Sequence, residues 1–426
     1  MTLILFISVL MLCIICGLPI AFSLMITGIA LMYNLDFVDS QIMAQNLIKG
    51  TNNFSLLAIP FFILAGEIMN AGGLSKRIID LPMKVVGHLK GGLGFVAILA
   101  AMIMASMSGS AVADTAAVGA MLFPMMKDAG YQHERSAGLI ASGGIIAPII
   151  PPSVPFIIFG VASGVSISKL FLAGIAPGII IGLSLCIVWY FISHKMNVQV
   201  LPRASKQEIC ISFKKSFWAL LLPCIIIFGF KFGIFTPTEA GVVAAFYALF
   251  ISSFIYKEMT FRKLYNVLLC SCKTSAVVLL LVAAAQVSAW LMVIAELPNM
   301  VTELLEPFTH NNTLLIIIIM IITFVVGMVM DLTPAVLILC PVLMPVVYQS
   351  GIDPVYFGVL FIINLSIGLI TPPVGNVLNV IAGLTKLPFD RAVVGLFPYL
   401  IVLFMTLILF IFVPQLIITP MNWFVD

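Results

Sequence analysis

Five uncharged and almost wholly apolar runs recur along the chain: Thr2 to Asn34, Phe54 to Ala65, Gly91 to Ala113, Thr313 to Met330 and Ala392 to Thr419. A helix needs ~20 residues to cross a hydrocarbon core of roughly 30 Å, and each run crosses it or nearly does. One such run can be the core helix of a soluble domain, whereas five in 426 residues describe a polytopic membrane protein. Composition agrees: 62% of the residues are hydrophobic and 9% charged, where soluble domains hold about half and about a quarter. The first run has no basic residue ahead of it and continues past Pro19 to about Met32. It is therefore expected as a retained span rather than a cleaved secretory signal. Cys13 and Cys16, a CxxC inside that run, are expected as small buried thiols.

The charges lie in islands between the runs. Lys76, Arg77, Lys84 and Lys90 form one, Lys195, Arg203, Lys206, Lys214 and Lys215 a second, and Lys257, Arg262, Lys263 and Lys273 a third. By the positive-inside rule all three face the cytoplasm, and Glu296 to Asn312, which holds no Lys or Arg, faces outward. Counting spans tests this. Two apolar stretches, 216–232 and 238–256, separate the second and third islands, and one, about 272–295, leads outside. Between Lys90 and Lys195, however, lie candidate helices at 92–105, 114–126, 136–150, 153–164 and 170–193. Five crossings would put the first two islands on opposite sides. Two crossings, which keep them together, result if the first pair is a re-entrant hairpin and the second pair the halves of one broken span.

An internal repeat supports that reading. Laying residue n over n + 221 matches Pro124 with Pro345, Gly130 with Gly351, Pro151-Pro152 with Pro372-Pro373, Gly174 with Gly395 and Pro177 with Pro398, without a gap. The same shift lays the basic island 76–90 over the cation-free 297–311, so equivalent positions face opposite sides of the membrane. The expected fold class is an all-α polytopic membrane protein of two inverted-topology repeats, each with a re-entrant helical hairpin and a broken transmembrane helix. This is the architecture of secondary transporters with alternating access.

Each repeat breaks helical propensity twice in mid-membrane. One break is Ser106-Met107-Ser108-Gly109-Ser110 followed by Asp114-Thr115, matched by Gly327-Met328-Val329-Met330-Asp331-Leu332-Thr333-Pro334. Such turns survive in lipid only when buried in protein or lining a cavity. Their half-helix carbonyls suit a cation and their N-termini an anion. The other break is the run from Ser142 through Pro151-Pro152 to Ser153, matched by the run from Asn364 through Thr371-Pro372-Pro373 to Gly375-Asn376. A Pro pair supplies no backbone donors, so the carbonyls of Ile149, Ile150, Ile370 and Thr371 are candidates for a small hard cation; a plain kink is the alternative. Asp114 and Asp331 are carboxylates inside apolar stretches, where function is the default expectation, although Asp114 could equally cap its own half-helix.

Enzyme chemistry finds no support. His88, His133, His194 and His310 all lie in connecting islands, and neither HExxH nor a GxxxxGK[ST] phosphate loop occurs. The basic islands are expected against lipid headgroups, not nucleic acid.

Four motifs then carry a resemblance: Pro60-Phe61-Phe62-Ile63-Leu64-Ala65-Gly66, Ser108-Gly109-Ser110 with Asp114-Thr115, Ile150-Pro151-Pro152-Ser153, and Thr371-Pro372-Pro373-Val374-Gly375. Together, and essentially end to end, the chain resembles the large membrane subunit of tripartite ATP-independent periplasmic (TRAP) transporters, its wording being nearest to the sialic acid permeases. The resemblance implies an elevator-type permease in the bacterial inner membrane, driven by Na+ and importing a small organic anion. It also implies a small four-helix membrane partner and a periplasmic substrate-binding protein. Substrate contacts would fall to Ser106, Ser108, Ser110, Ser153, Asp331 and Thr333. Sodium would bind near Ser108, Gly109, Asp114, Ile150, Gly327, Thr371, Gly375 and Asn376. Residues 91–165 and 312–386 would move, and 1–90, 166–311 and the C-terminal span 387–426 would complete the frame, with 38–50 and 76–90 as interfacial arms. A sodium/dicarboxylate symporter working without a binding protein is the alternative, and an ion channel a more distant one.

Overall fold

A computed structural model describes residues 2–196 and 198–425, and among them the regular structure is entirely helical. The first half runs through α1 (Thr2–Ile15), α2 (Ile20–Asn34), α3 (Ser40–Thr51), α4 (Ala58–Ala71) and α5 (Leu74–Val86). A hairpin of α6 (Gly92–Ser108) and α7 (Ala111–Asp128) follows, then a broken helix of α8 (His133–Gly144) and α9 (Val154–Ser163), then α10 (Ile167–His194). The second half runs through α11 (Lys206–Lys231), α12 (Pro237–Phe250), α13 (Phe261–Ile294) and α14 (Leu297–Leu305). It too has a hairpin, α15 (Asn312–Val329) and α16 (Leu332–Gln349), and a broken helix, α17 (Pro354–Gly368) and α18 (Asn376–Thr385), before α19 (Phe389–Phe412) and α20 (Gln415–Val425). Among the described residues, eight helical stretches are long and apolar enough to cross a bilayer.

The repeat extends well beyond its Gly and Pro matches. The bounds of α7 plus 221 (111 + 221 = 332, 128 + 221 = 349) are those of α16, and the five helices α5, α6, α8, α9 and α10 fall within three residues of α14, α15, α17, α18 and α19. The shift also lays α3 and α4 together onto the single α13 (40 + 221 = 261, 71 + 221 = 292). Packing obeys the same exchange. Helix α7 lies on α18 and α16 on α9; α4 lies on α12 and α13 on α2; α8 lies on α19 and α17 on α10. Each of these three contacts has its mate with the halves swapped, as a twofold axis relating the two repeats requires. Gly130 and Gly351, which end α7 and α16, both hold a left-handed backbone with φ of 83° and 68°, so a glycine at both ends of the offset is a steric necessity.

At the centre lie α8 and α17. From Ser136 to Gly144 and from Val355 to Gly368 every residue is buried, as expected of helices without a polar face. Burying Asn364 this way demands partners. Its Nδ2 donates to Met320 O at 2.7 Å and to Thr323 Oγ1 at 2.6 Å, which ties α17 to α15.

Three local expectations are corrected. The first run is two helices packed on each other, α1 and α2. Gly17, at φ 77°, turns the chain, and Pro19, just before α2, cannot continue a helix from α1. Within it Cys13 is buried but Cys16, in that turn, is exposed. Helix α13 begins eleven residues before the expected 272 (272 − 261 = 11), because Thr260 caps it, accepting from Lys263 N at 3.3 Å. Arg262, Lys263 and Lys273 therefore ride on the helix rather than precede it.

Candidate functional site

The two hairpin tips meet at one cavity of about 290 Å³. Its wall is built from offset mates: Ser110 with Asp331, Ala111 with Leu332, Val112 with Thr333, and Pro148 with Leu369, each pair 221 positions apart. The cavity thus lies on the pseudo-twofold axis. Ser108 and Gly109 complete the first tip, Val154 and Pro155 the start of α9, and Ile63, Thr274 and Val278 the sides supplied by α4 and α13.

Three helices, α7, α9 and α16, begin at this wall. Their unpaired N–H groups and positive dipole ends favour an anion. Each start is held differently. Ser110 caps α7, accepting from Ala113 N at 3.4 Å, and Ser153 caps α9, accepting from Phe156 N at 3.4 Å. Asp331 occupies the capping position of α16 and makes no capping bond, which leaves its carboxylate to the cavity. Gly109 is required at the first tip: its φ is 61°, and a Cβ there would fall 2.9 Å from Pro152 O.

Behind the first tip lies a buried polar pocket. Ser108 Oγ accepts from Ser110 N at 3.2 Å and donates to Asp114 Oδ1 at 2.5 Å. Asp114 Oδ2 and the neighbouring Thr115 Oγ1 are buried without a partner. Thr115 presses on Gly144, where a Cβ would lie 1.8 Å from its hydroxyl. A buried carboxylate oxygen and a buried hydroxyl, each without a partner, are oxygen donors of the type a small hard cation takes. Among the described residues, the carbonyls of Ile149, Ile150, Ile370 and Thr371 accept no backbone hydrogen bond. In the second break, Val374 N and Gly375 N instead donate to Met328 O of the hairpin, at 3.3 and 3.4 Å.

Of the expected substrate contacts, Ser108, Ser110, Asp331 and Thr333 line the cavity, and so does Gly109 from the expected sodium set. Ser106 and Ser153 do not. Ser106 Oγ donates to Ile103 O at 2.6 Å within α6, and Ser153 Oγ to Pro148 O at 2.5 Å. Asp114 and Ile150 sit behind the first tip, and Gly327, Thr371, Gly375 and Asn376 behind the second. Gly327 packs on Gly368, where a Cβ would fall 2.5 Å from the Gly327 carbonyl carbon. Sequence reasoning missed Ile63, Thr274 and Val278 as wall residues. Thr274 follows Lys273 in a charged island, and only its packing under the tips distinguishes it.

Comparison with known proteins agrees with this geometry. Residues 7–416 match the family described as "Tripartite ATP-independent periplasmic transporter, DctM component". The 2,3-diketo-L-gulonate TRAP transporter large permease protein YiaN of Escherichia coli K12 is 65% identical over 407 residues, covering 96% of each chain. The sialic acid TRAP transporter large permease protein SiaM of Vibrio cholerae is 39% identical over 399 residues, covering 94% of this chain and 93% of its own. Among solved structures, the YdaH transporter of Alcanivorax borkumensis superposes with a TM-score of 0.64 at 12% identity, covering 88% of this chain and 89% of that one. That likeness is one of fold.

Proposed function

The chain belongs to the DctM-component family of TRAP transporters and is not an enzyme, and from that premise we propose that it imports a small sugar-acid anion on a sodium gradient. A periplasmic binding protein delivers the anion, and a small four-helix membrane subunit completes the permease in the bacterial inner membrane. The observation that carries the proposal is the convergence of three helix N-termini and a row of hydroxyls on the central cavity. The N-termini take the carboxylate. Ser108, Ser110 and Thr333 meet the hydroxyls or carbonyls of the carbon chain, and Asp331 accepts from a substrate hydroxyl. An acid rich in hydroxyls uses this wall better than a simple dicarboxylate, which would bring a second charge towards Asp331. The 65% identity to a diketogulonate permease supports the same class, and it weighs more than the 39% identity to a sialic acid permease.

Sodium enters as co-transported cargo. Asp114 Oδ2 and Thr115 Oγ1, each buried without a partner one turn behind the cavity, support a site there. The free carbonyls at the two Pro-Pro breaks support others. In this reading the hairpins and broken helices, 91–165 and 312–386, move as a body against the frame formed by 1–90, 166–311 and 387–426.

The test is uptake into proteoliposomes holding this chain and its small subunit. 2,3-Diketo-L-gulonate is the first substrate, with sialic acid and succinate as comparators. Uptake of the sugar acid should need both an inward sodium gradient and the loaded binding protein. Accumulation without any binding protein would instead establish a stand-alone symporter, and preference for sialic acid would reassign the substrate.

A further inference from the structure

A second and larger cavity, of about 460 Å³, lies between the end of α3, the far half of α13, α9 and α16. It opens on the face opposite the basic islands. The chain runs from this cavity at Leu56 through α4 to the island at Arg77 on α5, and α13 runs from Arg262 to the cavity at Trp290. By the charge rule that face is periplasmic. The polar groups of its wall are Lys49, Asn52, Asn53 and Gln286, with the indole of Trp290, and among the described residues no carboxylate lines it. The ion pairs among the described residues are Arg77–Glu258, Lys84–Glu208 and Arg391–Glu134, so the Lys49 ammonium has no acidic partner. Gly50 explains how these groups come together. A Cβ there would fall 2.7 Å from the Gln286 Cβ, so only glycine lets α3 close on α13 at this level.

The two cavities share walls. On α16, Thr333 faces the central cavity, and Leu337 and Pro341, four and eight residues on, face the upper one. On α9, Val154 faces the lower cavity, and Ile158, Val161 and Ala162 face the upper one. Spacings of four and seven or eight keep one helix face in view. Two continuous apolar faces therefore descend from the polar rim to the central site, over roughly 12 Å for eight residues at helical rise.

We propose that the upper cavity is a receiving subsite for the sugar-acid anion, occupied between its release from the binding protein and its arrival at the hairpin tips. Lys49 takes the carboxylate, the amides of Asn52 and Gln286 take hydroxyls, and Trp290 offers an aromatic face to the carbon chain. One cation in a partly walled cavity free of opposing charge focuses the field on an entering anion. The smooth apolar faces below hold no polar group that would detain it. This rests on the substrate class proposed above.

The test is titration of the purified permease with 2,3-diketo-L-gulonate, without binding protein, followed by Trp fluorescence. A saturable change is expected in the native chain. It should vanish in Trp290→Phe, weaken at least tenfold in Lys49→Glu and recover in Lys49→Arg. In proteoliposomes Lys49→Glu should raise the KM at least tenfold with the maximal rate within twofold. Native-strength titration and unchanged uptake in Lys49→Glu would overturn the subsite while leaving the substrate class standing. A native chain showing neither uptake nor a fluorescence change would overturn both. Loss of binding-protein association in Lys49→Glu, with the fluorescence titration unchanged, would make Lys49 a docking residue and overturn the subsite.

Discussion

Ser108 Oγ donates to Asp114 Oδ1 across the tip of the first hairpin, while Asp114 Oδ2 and the hydroxyl of the next residue, Thr115, are each buried without a partner. The serine thus orients the carboxylate, and these two unpartnered oxygens are the ones assigned to sodium in the proposed function. Asp114→Asn keeps the shape but removes the charge. It should raise the sodium concentration for half-maximal uptake at least tenfold, and Ser108→Ala and Thr115→Val should raise it less. Sodium-dependent thermal stabilisation of the purified permease provides a second readout. Unaltered sodium dependence in all three variants would remove the ion site from this pocket.

Asp331 faces the cavity and does no capping of its own helix. A hydrogen bond to a charged group contributes about 1.5–3 kcal/mol, and a neutral one about 1 kcal/mol. Asp331→Ala should therefore cut uptake by about ten- to a hundredfold, and Thr333→Val by a few fold, with neither variant losing its folded yield. Native initial rates for Asp331→Ala would show that the substrate never touches this carboxylate.

Asn364 joins α17 to α15 through Met320 O and Thr323 Oγ1. Asn364→Leu should lower stability by about 1–2 kcal/mol, in line with polar contacts between membrane helices. Thermal unfolding of the detergent-solubilised permease checks this. The double variant with Thr323→Val should cost less than the sum of the two, because the partner left unpaired is then removed as well.

Two glycines should respond with opposite signs. At Gly368 a Cβ would fall 2.5 Å from the Gly327 carbonyl carbon, so Gly368→Ala should cost about 1–3 kcal/mol through overpacking. Gly383, inside α18, has nothing within 4 Å of its Cβ position. Gly383→Ala should instead stabilise by about 0.5–1 kcal/mol through helix propensity. Melting temperatures that move the same way would mean that the contact between the second hairpin and its broken helix is softer than the geometry implies.

Much of this architecture is legible in the sequence. Hairpin tips reveal themselves because Gly109, Ser110 and Asp331 interrupt apolar runs whose length otherwise demands a full crossing. The breaks reveal themselves because two Pro pairs recur at one offset. The pairing of Ser110 with Asp331 across the cavity was implicit in that same offset. The hydroxyls of Ser106 and Ser153 misled, because sequence gives a hydroxyl's depth but not whether it turns back on its own chain, as both do. Ile63 and Thr274 were invisible because their role comes from packing by α4 and α13 at a distance along the chain. The turn at Gly17 to Pro19 was overlooked because counting uncharged residues ignores turn chemistry.

The central cavity sits on a pseudo-twofold axis, yet its mates are unlike: Ser110 opposes Asp331, Ala111 opposes Leu332, Val112 opposes Thr333 and Pro148 opposes Leu369. Identical halves would have made a chamber with no up or down, in which a cargo could lie end for end with equal ease and leave by either route in either pose. By keeping the backbone twofold and the side chains not, the chain gives its cargo a head and a tail. The first tip offers hydroxyls and a positive helix end, and the second adds a negative charge, so the sugar acid proposed as cargo would travel in a single orientation.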